Sequence, residues 1–232
     1  MRMRNNGELP TTVEVQVFER LIDDNGVQTR READDDFLVF PPQAVVPGES
    51  LQVFRLQPLI PVLDESRSYF VSIRQVPVAL PTVTDSEGAS IRLLFAFDSA
   101  VHVVPSGAEA APTLVGAEPG EVTLTIQTGE RQPIPEGGDE PVVADVTFPA
   151  VAMTVRNDGN KYFYLQNMRF EGEWTDSAGA VHPLPSYTQE EIIRSVGVTL
   201  VPPGATRRFA LPLPEGSTIA SARIEMTDAS DS

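Results

Sequence analysis

The chain has two histidines, His102 and His182, and neither lies in a pattern that would make it a catalyst. His102 falls in the apolar run "SAVHVV" and His182 in a turn before Pro183. No G-x-S-x-G elbow, phosphate-binding loop or H-E-x-x-H zinc pair occurs. The run "EADDDF", Glu32 to Phe37, has carboxylates that suit calcium. It lacks the spaced ligands and the glycine of a calcium loop, and reads as a solvated acidic loop. There is no cysteine, so disulfides and thiolate metal sites are excluded. These residues predict a protein that is not an enzyme and holds no cofactor and no metal.

What remains is the chemistry of a surface. In "ASIRLLFAFDSAVHVVPSG", Ala89 to Gly107, Ile91, Leu93, Phe95 and Phe97 fall on one side of a period-two alternation. Arg92, Leu94, Ala96 and Asp98 fall on the other. Inside a sandwich such a strand is ordinary core. At a sheet edge it is an apolar ladder open to another chain. The residues alone leave both readings standing.

The elements that carry this strand can be placed from composition and repetition. The 232 residues are 41% hydrophobic, enough for a real core, and 21 prolines and 16 glycines punctuate short apolar runs. That cadence predicts an all-β chain of many short strands. A net charge of −16 argues against nucleic acid as the main partner. No apolar run is long enough to cross a membrane as a helix, so membrane insertion is not expected. The opening "MRMRNNGELP" has no apolar stretch after its basic residues and is not read as a signal peptide.

The chain also contains itself twice. "RNNG" (Arg4 to Gly7) recurs as "RNDG" (Arg156 to Gly159), each followed by an alternating apolar run and an acidic turn. "VVPGESLQVFRL" recurs as "LVPPGATRRFAL", so that Phe54 matches Phe209 and Leu56 matches Leu211. Two immunoglobulin-like β-sandwich domains in tandem are predicted, over 1–106 and 107–232, with "VPSGAEAAPT" between them. Met1 and Met3 match Met153 and Val155. The first copy is therefore expected to begin inside its second strand, with its first strand and any signal peptide outside this sequence. "TGERQPIPEGGDEP" (Thr128 to Pro141) reads as a long exposed loop. "TQEEIIRSV" (Thr188 to Val196) reads as a short helix capped by Thr188. The aromatics of "YFYLQNMRFEGEW" (Tyr162 to Trp174) read mostly as core rather than as a carbohydrate platform.

With these stretches in view the chain resembles the periplasmic chaperones of the chaperone–usher pathway, which assemble pili and fimbriae. The resemblance is carried by "RNNGELPTTVEVQVF", "FLVFPPQAVVPGESLQVFRL", "SRSYFVSIRQVPV", "IRLLFAFDSAVHVVPSG", "MTVRNDGNKYFYLQNMRF" and "LVPPGATRRFAL". The wording of "SRSYFVSIRQVPV" is similar to the archaic branch. The resemblance implies a chaperone that lends its G1 strand to an incomplete Ig-like pilus subunit and delivers it to an outer-membrane usher. It implies that Ile91, Leu93, Phe95 and Phe97 enter the subunit, that Leu94 and Ala96 face the chaperone's own core, and that the site of action is the periplasm. Three departures stand out. The family's first-strand arginine, which shares in clamping the subunit's C-terminal carboxylate, would fall in the strand expected outside this sequence, so no residue here carries its role. The family's G1 lysine, which helps clamp the subunit's C-terminal carboxylate, corresponds to Ala100, and an acid of the domain interface corresponds to Gln75. Pro41-Pro42 matches the family's proline pair, where a cis bond is an option. The competing reading is a tandem Ig-like surface adhesin or structural module, with no donor strand.

Overall fold

The computed structural model describes residues 1–60, 63–77, 94–133 and 139–229. The chain divides into two compact units, residues 1–21 with 29–106 and residues 22–28 with 107–232.

Strands β1 (Arg2–Arg4), β2 (Thr11–Ile22), β3 (Gln28–Glu32), β4 (Phe37–Phe40), β5 (Gln43–Val46), β6 (Leu51–Val53), β7 (Arg55–Pro58), β8 (Arg67–Gln75) and β9 (Ala96–Val103) build the first sandwich. One layer runs β3-β2-β8-β9, with β5 also on β2; the pairs β1-β6 and β4-β7 make the other. The alternation of β2 explains its place. Val13, Val15 and Val17 point inward beside Ile73, Val71 and Tyr69 of β8, and Phe54 closes the core from the opposite layer. The acidic run forms a single 3-10 turn at Asp34–Asp36 rather than a purely solvated loop. Asp34 accepts the Val17 amide at 3.0 Å, and Asp36 accepts the Tyr69 hydroxyl at 3.0 Å. Burial and the Asp36 bond push the Tyr69 phenol up to about 12. The cis peptide is Phe40–Pro41, one bond before the proline pair to which the sequence pointed.

The second unit holds β10 (Pro112–Pro133), β11 (Asp139–Asn157), β12 (Phe163–Tyr164), β13 (Met168–Asp176), β14 (Val181–Pro183), α1 (Gln189–Val196), β15 (Leu200–Val201), β16 (Thr206–Pro212) and β17 (Ile219–Asp228). Sheet β10-β11-β16 faces sheet β14-β13-β17 across a core of Val151, Met153, Val155, Phe170, Trp174, Phe209 and Leu211. Phe163, Phe170 and Trp174 are buried together with Leu165 and Met168, so these three aromatics are core, while Tyr162 and Tyr164 are half-buried. Helix α1 starts at a capping box in which the Thr188 hydroxyl accepts the Glu191 amide and Glu191 accepts the Thr188 amide. The expected long loop at Thr128–Pro141 is shorter. The β10–β11 ladder continues through Arg131–Pro141, Gln132–Glu140 and Pro133–Asp139, and residues 134–138 lie outside the described residues. Proline- and glycine-rich composition reads as loop, but ladder pairing is made by backbone groups.

The repeat is visible at the level of single atoms. In the first unit the Asn5 amide nitrogen donates to the carbonyls of Leu9, Val46 and Pro47, while its oxygen accepts the Gly7 amide. In the second, Asn157 donates to Lys161, Val201 and Pro202 and accepts the Gly159 amide. Both asparagines are buried, and each satisfies carbonyls that would otherwise be left unpaired in the loop. Strand β11 pairs with β10 on one side and β16 on the other. Its counterpart β1 pairs with β6 alone among the described residues.

Candidate functional site

Among the described residues strand β9 is the edge of its sheet. Its register on β8 sets Val103 against Arg67, Val101 against Tyr69, Ser99 against Val71 and Phe97 against Ile73. Directly opposed residues share a face of the sheet. The face that carries Tyr69, Val71 and Ile73 is the core face, so Phe97 lies on it too, and Phe95 follows two residues on. Val101 and Val103 reach the core and pack there. Phe95 and Phe97 reach nothing comparable: they are 57% and 63% exposed, with their rings stacked 6.4 Å apart at 16°. The Gln75 amide holds the start of the strand by donating to the Phe95 carbonyl at 2.9 Å.

This corrects one expectation. Leu94 and Ala96 do not face the chain's own core. Ala96 opposes the exposed Arg74, and Leu94 lies on that same outward face, 50% exposed. Period-two alternation separates two faces, but only the register on β8 says which one points inward. Ile91 and Leu93 lie outside the described residues.

Beside the two phenylalanines is a groove of about 420 Å³. Its walls are Phe95 and Phe97 of the β9 segment, Ile73 and Gln75 of β8, Thr11 and Val13 of β2, and Met3, Arg4, Asn5 and Asn6 of the β1 turn. The sequence reading missed these wall residues. The "RNNG" repeat was their only signal, because it places Arg4 to Asn6 at the end of a strand that pairs next to the core.

The outward face of the same strand is polar and tied down. Arg30 donates to Asp98 at 2.7 Å, and that bond holds the Asp98 carboxyl below its usual range. Arg74 donates to Gln16 at 2.8 Å. His102 Nδ1 shares a hydrogen bond with the Ser68 hydroxyl at 2.8 Å, and partial burial lowers its pKa. Arg20 and Arg30 lie 5.1 and 4.8 Å from the centroid of the Phe70 ring. His102 is thus part of the strand's anchorage. His182, in the second unit, stacks on Trp174 at 4.4 Å and bonds Asp176 at 2.9 Å.

The arrangement can pair backbone and bury apolar side chains. From Ala96 onward β9 offers a row of backbone groups with no neighbour among the described residues, and its inner face ends in an uncovered aromatic pair. Natural edges are usually blunted by charge, proline or a bulge. In 94–104, Asp98 is the only carboxylate, and it lies on the outward face in its pair with Arg30.

No protein-family model matches the sequence, and no curated protein does. Solved structures do match. A chain of the chaperone–tip adhesin complex of CFA/I fimbriae biogenesis aligns with a TM-score of 0.52 and 9% identity, over 97% of this chain and 89% of that one. The class 5 fimbriae chaperone CfaA aligns with a TM-score of 0.52 and 10% identity, over 97% of this chain and 90% of that one. The chain has the two-domain all-β fold of fimbrial chaperones, as the resemblance implied.

Proposed function

We propose that the protein is a pilus-subunit chaperone that lends β9, together with the segment before it, to an incomplete Ig-like subunit. The supporting observation is the pair Phe95 and Phe97, continuous with the inward face of the sheet yet more than half exposed, on an edge that is unpaired among the described residues. A subunit that lacks its last strand has the complementary defect, an open edge over an uncovered core. Pairing would satisfy both backbone rows and bury both rings, at roughly 1.5–3 kcal/mol for each large side chain. Ile91 and Leu93 continue the same alternation in sequence and belong to the proposed donor set. Delivery to an outer-membrane usher and a periplasmic site of action complete the reading, and both come from the fold likeness and the sequence resemblance.

The test is co-expression with a pilus subunit that lacks its last strand, followed by purification on a tag carried by the subunit. A stoichiometric complex with the native chain, lost with Phe95→Asp, supports the proposal. Equal recovery of the two removes it in favour of a tandem Ig-like module without a donor strand.

A further inference from the structure

The outward face of the second layer in the first sandwich is apolar and cationic at once. β6 and β7 are successive parts of one extended run, 51–58, interrupted at Phe54. β1 pairs with its first half and β4 with its second. Alternate residues of these strands turn inward: Met3, Val39 and Leu56 pack on the core, and Phe54 is buried in it. The others share the outward face. There Arg2 opposes Val53, Arg4 opposes Leu51, Phe40 opposes Arg55 and Leu38 opposes Gln57. The four apolar side chains are 46–67% exposed, and the three arginines are exposed as well. None of these eight residues is acidic, in a chain whose net charge is −16. Arg2, Arg4 and Arg55 make no ion pair among the described residues.

We propose that this face rests against an anionic lipid surface, with the three guanidiniums at the level of the phosphates and Leu38, Phe40, Leu51 and Val53 in the headgroup boundary. It is a contact on the membrane, with no segment crossing it, and it does not involve β9. Charge complementarity sets the sign of the partner. A guanidinium presents its donors in a fixed fork that matches phosphate oxygens, and each cation beside an anionic bilayer strengthens binding by about fivefold. Exposed apolar side chains set among cations are the pattern of surfaces that lie on a membrane. The extent of the face favours lipid over protein. Between backbones it runs about 20 Å along 51–57 and about 10 Å across three strands. That is well short of the roughly 800 Å² that each side of a stable protein interface takes. A segment of another protein would pair along an open strand edge, through backbone groups rather than through the side-chain tips of a face. The net charge of −16 opposes approach at long range. At physiological salt that repulsion is screened beyond about 8 Å, so the acids elsewhere favour approach by this face rather than prevent it.

The experiment floats the full chain with lipid vesicles, one set of phosphatidylcholine alone and one containing phosphatidylglycerol. The native chain should bind the anionic vesicles about a hundredfold better than the neutral ones, and less so at high salt. Replacing both Arg2→Gln and Arg55→Gln should weaken that binding by about twentyfold. Arg2→Lys with Arg55→Lys keeps the charge and should retain most of it. Leu38→Ser with Leu51→Ser should weaken binding to both kinds of vesicle by about tenfold and leave the preference for anionic lipid in place. Arg223→Gln removes an exposed arginine of the second unit and should change nothing. Native binding to neither vesicle, or to both equally, overturns the inference. So does a double glutamine variant that binds as the native chain does, or a loss in Arg223→Gln as large as in that variant. Self-association, or capture of an acidic apolar peptide, that needs Arg2 and Arg55 while vesicles do not bind assigns the face to a protein and also overturns it. Phe95→Asp should bind vesicles like the native chain. Lost binding there would move the lipid contact to the β9 edge and overturn the inference, whereas failure of subunit capture alone leaves it standing.

Discussion

Phe97 stands directly opposite Ile73 in the β8–β9 ladder, yet Ile73 is 6% exposed and Phe97 63%. The two share a face and a level of the sheet, so pairing does not account for the difference. It comes from what lies above them. Ile73 lies in the cluster of Val13, Val15 and Phe54, whereas among the described residues the ring one strand further out stacks on Phe95 and faces the open groove. An apolar ring of that size left in solvent at a sheet edge favours association.

Phe95→Asp should weaken subunit capture by about a hundredfold or more, because it removes a buried ring and places a carboxylate in a dry groove. The same change should shift the thermal midpoint of the free chain very little, since Phe95 is 57% exposed and holds no core contact. Capture assays and melting curves on one preparation check this. Equal losses of both would mean that Phe95 supports the fold rather than the partner.

Strand exchange should release the subunit. If β9 fills a groove meant for another strand, a peptide that matches the N-terminal extension of the next subunit competes for the same backbone row. The complex should then dissociate faster as peptide is added, with the rate rising with its concentration. A rate that ignores the peptide would leave lending intact and remove exchange as the route of release.

The sequence carried part of this site and withheld part. The alternation over 91–97 is plain, as is the tandem repeat, because both depend on side-chain period alone. Which face of β9 turns inward depends on the register Phe97–Ile73, a non-local fact, and Leu94 and Ala96 were misplaced for that reason. The continuation of the β10–β11 ladder past Gln127 was hidden by prolines and glycines that a backbone-paired ribbon tolerates.

His102 makes the anchorage of β9 sensitive to acid. Partial burial, and secondarily the positive charge of Arg20, lowers its pKa, so the folded chain takes up a proton less readily than the unfolded one. Stability contributed by neutral His102 is therefore full above its ordinary value of about 6.5. It declines as pH falls from there towards the lower folded value. Relative to the intrinsic exchange rate at each pH, protection of the amides in β8 and β9 should fall between about pH 7 and pH 5 in the native chain. In His102→Gln that dependence should flatten. An unchanged slope in the variant would assign the acid sensitivity elsewhere.

Asn157→Ala should be among the most damaging single changes in the second unit. The amide is fully buried and donates to the carbonyls of Lys161, Val201 and Pro202, while its oxygen takes the amides of Ala111 and Gly159. Each of these groups left unpaired in the interior costs about 1–3 kcal/mol. A loss of roughly 2–4 kcal/mol is expected, a large part of a domain's stability. Asn5→Ala makes the matching cut in the first unit, where Asn5 is 8% exposed, and should cost somewhat less. Chemical denaturation of the two variants, followed by Trp174 fluorescence for the second unit and by amide exchange at Val13 to Val17 for the first, separates the two effects. If Asn157→Ala leaves the Trp174 transition in place, the buried amide is not what holds the turn.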